Sequence, residues 1–574
     1  MTPYKNPALP VEDRVTDLLG RMTLEEKAGL MCHGRMFPGS GAELVTERHL
    51  THFAMMHVPS PAEMAEWNNT VQDLAAGTRL GIPVTFSSDP RHGFAGNPAT
   101  AHTGGGFSPG PEPIGLAASD DPGLVERFAA MAGRELRAVG IRLALHPMAD
   151  LATEPRWARI SGTFGEDAGR AARMVAAYIR GMQGAGVACM VKHFPGGGPQ
   201  AAGEDPHFSY GRHQAYPGAN LDYHLRPFAA AFAAGVSQLM PCYAIPTGSG
   251  LAEVGANFNH DVITGLARGR FGFDGVVCTD FNALTGFEIP GVLSLPPRNW
   301  GVEHLPVPDQ LAMMLEAGVD QLGGETRPEL LTELVGAGRV PESRLDVSVR
   351  RLLREKFRLG LFENPYADPD AAKRLVGGPE HRSLGREAQR RSLVWLTGGP
   401  RGARTLYVEN VDPDVAARYG QVADRPEDAD LAVIRLTAPY EPREGLLESH
   451  FHAGSLEFPA AELDRLRAVA AKVAAAFCVH LDRPAVLTGL VPVADRMLAD
   501  FGAADEVVLD ALLGRAPVDG VLPFDLPSSM RAVRESREDV PFDTRDPLFT
   551  AGHPGASARK SSTSGPASSR NSSK

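Results

Sequence analysis

Residues 187–211 read VACMVKHFPGGGPQAAGEDPHFSYG. An unbroken apolar run of strand length ends in Lys192 and His193, and a glycine-rich, charged loop takes over. A run without polar alternation suits a strand buried on both faces, as in a parallel sheet. Neighbouring side chains on a strand point to opposite faces, so Lys192 or His193 must leave the strand for both to reach one pocket. The turn at Phe194, Pro195 and Gly196 makes that feasible. A phosphate-cradling loop normally runs straight into a helix N-terminus; this one continues through Pro206 and Pro217. The pair therefore reads as hydrogen-bond donors to hydroxyl oxygens, Lys192 through three N–H groups and His193 through one ring nitrogen.

Similar runs flank it at 54–57, 84–89, 141–146, 238–243, 275–280 and 320–322, with a weaker one at 30–32. Amphipathic stretches at 61–77, 122–140, 167–184, 222–235, 261–270 and 309–318 separate them, several opening on Asp or Pro and closing on Gly, as helix ends do. About eight strands alternating with helices imply a parallel sheet and suit a closed (β/α)8 barrel, with an open doubly wound sheet as the competitor. In a barrel, chemistry gathers at the C-terminal strand ends, and Asp89, Lys192, His193, Tyr243 and Asp280 all fall there.

At 574 residues the chain exceeds one hydrophobic core. The barrel is assigned to 1–362, a Pro/Asp-rich linker to 363–395 and a smaller α/β sandwich domain to 396–530. In that second domain, strands are expected at 406–409, 431–436, 475–481 and 497–501, with helices at 459–472 and 506–513. A C-terminal strap over the barrel follows at 531–553. The tail, 554–574, lacks large apolar residues over its last fifteen positions and is expected to be disordered. The net charge of −12 gives no footprint for nucleic acid or an anionic membrane. No apolar stretch is long enough to cross a bilayer. Five scattered cysteines read as buried free thiols, which with a charged N-terminus point to the cytoplasm. No cofactor or metal is expected: a His-x-His after the first strand is missing, and His450-x-His452 beside Glu448 falls in the second domain. A metal-dependent hydrolase is the rival enzyme class.

Three further segments carry polar clusters. FSSDPRHGF (86–94) brings Asp89 to a strand end. EPRWARISGTFGED (154–167) bundles Trp157, Arg159 and carboxylates, which suits a polyol: planar donors for hydroxyls and an aromatic face for C–H groups. RFGFDGVVCTDFNALTG (270–286) delivers Asp280, with Phe281 beside it, to the barrel mouth.

Together these residues resemble family 3 of the glycoside hydrolases, the β-glucosidase and β-N-acetylglucosaminidase group. The resemblance runs from Arg14 and the Met22–Lys27 segment through Trp157-x-Arg159, Phe164 to Asp167, Lys192–His193, Met240 to Tyr243 and Thr279 to Phe281. It continues in Leu522 to Phe524 and Asp546 to Phe549. It implies a retaining exo-β-glycosidase, in the first place a β-glucosidase, acting on a small oligosaccharide or glycoside, with Asp280 as nucleophile. Asp89, Arg159, Lys192 and His193 would hold the sugar, with Tyr243 and Phe281 near the nucleophile. β-N-acetylglucosaminidase, β-xylosidase and a non-catalytic carbohydrate-binding homologue are alternatives, and a homodimer is allowed. Where the family has Ser-Asp-Trp this chain reads Thr279–Asp280–Phe281, and the family's Phe-Gly-x-Gly reads Ala551 to Pro554.

The acid is the open position. The Gly-Glu-Gly-x-Asp-Arg segment of many members is missing from TAPYEPREGLLESHFHAGSLEFP (437–459), where Glu441 ranks first and Glu444 second, with Glu448 as a further choice. The N-acetylglucosaminidase branch instead uses an Asp/His pair after Lys-His, matched here by Asp205 and His207. Retention needs an ionised carboxylate on one side of the anomeric carbon and a proton donor on the other.

Overall fold

The computed structural model describes residues 2–37, 41–289, 291 and 293–554. The expected disordered tail lies outside these, apart from Pro554. Eight parallel strands, β1 (Cys32–Met36), β2 (His52–Met55), β3 (Thr85–Ser88), β4 (Ile141–Ala144), β5 (Ala188–Phe194), β6 (Gln238–Pro241), β7 (Val276–Val277) and β8 (Leu322–Gly323), form one sheet in chain order, with β8 pairing back onto β1. The remaining seam, between β7 and β8, is closed by a bridge between Cys278 and Gln321 and by the Asp320 amide on the Val277 carbonyl at 2.8 Å. The sheet is a barrel, and the open doubly wound alternative falls away.

Helices follow the strands as crossovers, among them Pro61–Ala76, Pro122–Ala138, Ala168–Gly184, Leu221–Ala233, Val307–Ala317 and Glu342–Arg358. Local chemistry starts them where the sequence suggested. Ser60 and Glu63 form a reciprocal capping box on the first, and the Asp121 and Asp167 carboxylates cap the next pair. Ala54, Leu143, Ala188, Met190, Met240 and Cys278 fill the barrel interior, so it is packed rather than hollow.

The stretch read as a linker is structured. Helices Pro369–Leu375 and Pro379–Ser392 occupy it, and at its end begins the first strand of the second sheet, β9 (Val394–Thr397). That sheet has the order β9–β14–β13–β12–β10–β11, where β10 is Thr405–Glu409, β11 Gln421–Val422, β12 Leu431–Thr437, β13 Ala475–His480 and β14 Arg496–Asp500. Only β9 runs antiparallel, to β14. The sequence reading lacked β9 and β11: β11 is too short to carry a period, and β9 sits inside the Pro/Asp-rich segment's helical extension.

One face of this sheet packs on the barrel. Phe501, Leu522 and Phe524 share a buried cluster with Met148, Trp157 and Ile160 from the loops after β4. The C-terminal segment then runs back over the barrel. The Asp539 carboxylate accepts from the Gly218 and Asn220 amides at 2.8 Å each, and Glu166 accepts from the Phe542 amide at 2.8 Å. All five cysteines are free and buried, and no helix among the described residues is long and apolar enough to cross a membrane.

A buried charge pair in the second domain makes stability depend on pH. Burial alone would push the His480 imidazole down, but the Asp500 carboxylate 3.0 Å away raises it to about 9, with Asp482 and Glu112 adding to the effect. The folded value lies above the ordinary 6.5. The imidazolium therefore contributes its full stability below pH about 6.5 and loses it as pH rises through about 9. Thermal melts from pH 6 to 9.5 are expected to show a falling Tm, with the gap between the protein and His480→Gln widest at pH 6 and closing by pH 9.5.

Candidate active site

The C-terminal strand ends and two other segments enclose a cavity of about 390 Å³, within the range of small-ligand sites. Asp89, Arg159, Lys192, His193, Tyr243, Asp280 and Phe281 all line it, so the seven barrel-rim residues singled out in the sequence converge on one space.

Asp280 leaves β7 two residues beyond Cys278, and its amide donates to Asn257 Oδ1 at 3.0 Å, which ties its loop to the end of β6 through Asn257 Nδ2 on the Cys242 carbonyl. Oδ1 accepts from the Phe281 amide at 2.7 Å. Oδ2 is buried and accepts no hydrogen bond from the described residues, and it lies 3.9 Å from His193 Nε2. One oxygen is thus anchored and the other is left for an electrophile. The Tyr243 hydroxyl donates to the Phe281 carbonyl, and burial together with the Asp280 charge pushes its pKa far up, so it stays a neutral donor.

The register of β5 against β6 slips between Lys192 and Phe194, where the Lys192–His193 peptide is cis. Both side chains reach the cavity. Lys192 Nζ pairs with Asp89 Oδ1 at 2.8 Å. Burial pushes the Asp89 carboxyl up, but Lys192 and His102 outweigh it and hold it below its ordinary value. His193 differs from the sequence reading. Its Nδ1 donates to Asp150 Oδ2 at 2.9 Å and its Nε2 faces Arg159 Nη1 at 3.1 Å, so that nitrogen accepts rather than donates. Burial and the Arg159 charge lower its pKa, which keeps the ring neutral.

Asp150 is the organiser that sequence reasoning missed. Fully buried, it also receives the amides of His193 and Gly197. A Cβ at Gly197 would meet its carboxylate at 2.9 Å, and one at Gly198 would sit 1.9 Å from the Leu151 carbonyl, which explains the glycine run after Pro195. Arg35 from β1, with Arg298 and His102, also lines the cavity and was not foreseen. Asp150 does follow a predicted strand by a few residues, the one signal that could have marked it.

Trp157 does not offer its face to a ligand. It is 1% exposed within the cluster shared by the two domains, and its Nε1 donates to Asp205 Oδ2 at 3.0 Å. Asp205 in turn holds His207 Nδ1 at 2.6 Å. Burial would raise the Asp205 carboxyl, but His207 and Arg159 hold it down at about 2. His207 lines the cavity, against the ring of Tyr243 (5.1 Å between centroids) and that of Phe451 (5.1 Å) from the second domain.

Glu441 and Glu444, ranked ahead of His207 in the sequence, do not line the cavity. Both are exposed. Pairing of the Glu441 amide with the Ala453 carbonyl at 2.9 Å, next to Pro442, turns the loop back on itself before it reaches the barrel. The part that does arrive is Leu446, Leu447 and His450. Glu448 accepts from the Tyr210 hydroxyl at 3.0 Å. Among the described residues no group of three or more His, Cys, Asp or Glu side chains is gathered for a metal ion; His452 is engaged by Asp482 and stacked on Tyr440.

Residues 23–355 match the family model described as the glycosyl hydrolase family 3 N-terminal domain. The chain belongs to glycosyl hydrolase family 3. It is 46% identical to β-glucosidase C of Emericella nidulans, over 96% of this chain and 93% of that one. It is 40% identical to the periplasmic β-glucosidase/β-xylosidase of Dickeya chrysanthemi, over 96% and 91%. In fold this family 3 hydrolase is similar to a β-glucosidase structure from Erythrobacter marinus, with a TM-score of 0.79 at 20% identity, covering 96% of this chain and 83% of that one.

Because Asp150 fixes which nitrogen of His193 carries the proton, Asp150→Asn is expected to lower kcat/KM on a nitrophenyl β-glycoside by about 10²-fold, the scale of a small misplacement in an active site. Steady-state kinetics beside a thermal melt would separate that loss from unfolding.

Proposed function

We propose that the protein is a retaining exo-β-glucosidase in which Asp280 is the nucleophile and His207, oriented by Asp205, is the acid/base. The observation that carries this is the shared cavity: Asp280 presents an unanchored carboxylate oxygen, and His207, its Nδ1 engaged by Asp205, has only Nε2 left to give. The close relatives named as β-glucosidases support the sugar.

In the first step Asp280 Oδ2 attacks C1 of the terminal sugar, the glycosidic C–O bond breaks, and the proton on His207 Nε2 passes to the leaving oxygen. Asp205, on Nδ1, holds the ring so that Nε2 delivers that proton. In the second step His207 takes a proton from water, the water oxygen attacks C1, and Asp280 is released. Lys192, Asp89 and Arg159, which line the same cavity, would hold ring hydroxyls. A xylose-releasing activity is the second reading, favoured by the name of the Dickeya relative; a panel of nitrophenyl glycosides ranks the two. The five free, buried thiols support residence in the cytoplasm, which cell fractionation would check.

An activated 2-deoxy-2-fluoro glucoside is expected to label Asp280, as read by peptide mass spectrometry. His207→Ala is expected to lose about 10²–10⁴-fold in kcat on glucosides with poor leaving groups, the range of general acid catalysis, and to recover turnover of a dinitrophenyl glucoside with azide. Glu441→Ala is expected to stay within about 3-fold of the parent, as an exposed substitution should. Azide rescue at Glu441 or Glu444 instead would move the acid to the second domain.

A further inference from the structure

Beyond Asp280 the cavity opens along a short antiparallel ribbon, Phe287–Ile289 paired with Leu293–Leu295. Phe287 lies opposite Leu295, and Ile289 opposite Leu293. With a two-residue period these four share one face of the ribbon, while Glu288 and Ser294 share the other. All four apolar side chains line the cavity. Ile289 stays 37% exposed, and Leu446, which reaches the same wall from the second domain, 60% exposed. A two-stranded ribbon buries little on its own and is marginal in water, so an apolar face held open to solvent calls for an occupant.

Arg35 fixes that face to the catalytic floor. Its guanidinium lies 4.9 Å from the rings of both Phe281 and Phe287 and bonds Asn282. The root of the ribbon is thereby held beside the residue that follows the nucleophile. Of the polar groups on this side, Arg298 directs its Nε to the His207 carbonyl at 3.4 Å.

We propose that this wall is the aglycone site and that it selects glycosides of apolar alcohols, alkyl or aryl, over disaccharides. The wall is continuous with the cavity that holds Asp280, and the side chains of Phe287, Ile289, Leu293, Leu295 and Leu446 that make it offer no hydrogen bonds to a second sugar. The polar side chains Thr100, Arg298 and His450 line the same cavity from other positions. The inference rests on the exo-glucosidase reading above, since it names what leaves when the terminal sugar is taken.

Alkyl glucosides separate apolar contact from leaving-group chemistry, because the alcohols differ in chain length and hardly in acidity. With n-alkyl β-glucosides from methyl to octyl below micelle concentrations, and with cellobiose and laminaribiose alongside, kcat/KM is expected to rise about 10-fold or more along the alkyl series. That is a modest part of what the added methylenes gain on full burial. Both disaccharides are expected below octyl glucoside. Ile289→Ser and Leu446→Ser, on separate segments of the wall, are each expected to flatten the rise to within about 3-fold. A flat series in the parent enzyme, disaccharides turned over faster than octyl glucoside, or an unchanged slope in both variants would overturn the proposal while leaving the glucosidase reading intact. Absence of turnover on every glucoside would overturn both.

Discussion

Arg483 is the joint on which the site depends. Its guanidinium is buried between the domains and donates to five main-chain carbonyls: Arg156 of the barrel at 2.9 Å, and Pro439, Ala453, Gly454 and Ser455 of the second-domain loop at 2.6–3.2 Å. Burial lowers its pKa to about 10, which leaves it charged at neutral pH. Both ends of one loop supply acceptors to its two Nη groups, which offsets part of the cost of removing the cation from water. The chain between them is therefore drawn into a closed excursion from the second domain. Its middle brings Phe451 against His207 and Leu446 onto the cavity wall, and Arg443 meets Glu204 at 2.8 Å at its edge. The barrel supplies Asp280; the loop shapes the surroundings of His207 in the same cavity.

That division explains what the sequence could reveal. The alternation of apolar runs and capped helices was enough for a parallel sheet; closure into a barrel, against an open doubly wound sheet, came from the pairing of the first and last strands. Each unit is local, and the strand ends are marked by the residues that follow them. Asp89, Lys192, His193, Tyr243 and Asp280 were legible for that reason. The contribution of the second domain was not. Glu441 comes soon after β12, so sequence distance placed it near the centre, but its fate is decided by Ala453 and Arg483, 12 and 42 positions away. Trp157 misled in a similar way. Its ring is consumed by the packing between domains, and its indole N–H by Asp205, neither of which spacing shows. Asp150 had only its place after a predicted strand to mark it; its importance lies in three donors, from His193 and Gly197, that only the fold assembles.

The same apolar contact has a consequence for how the molecule can be taken apart. Phe501, Leu522 and Phe524 share one buried cluster with second-domain residues such as Ile434 and Phe477 and with Trp157, Met148 and Ile160 of the barrel. Severing the lobes would leave a hydrophobic scar on each. A chimera that grafts the C-terminal lobe of one relative onto the barrel of another must carry the receiving footprint after β4 as well, because the inheritable part is the pair of complementary faces.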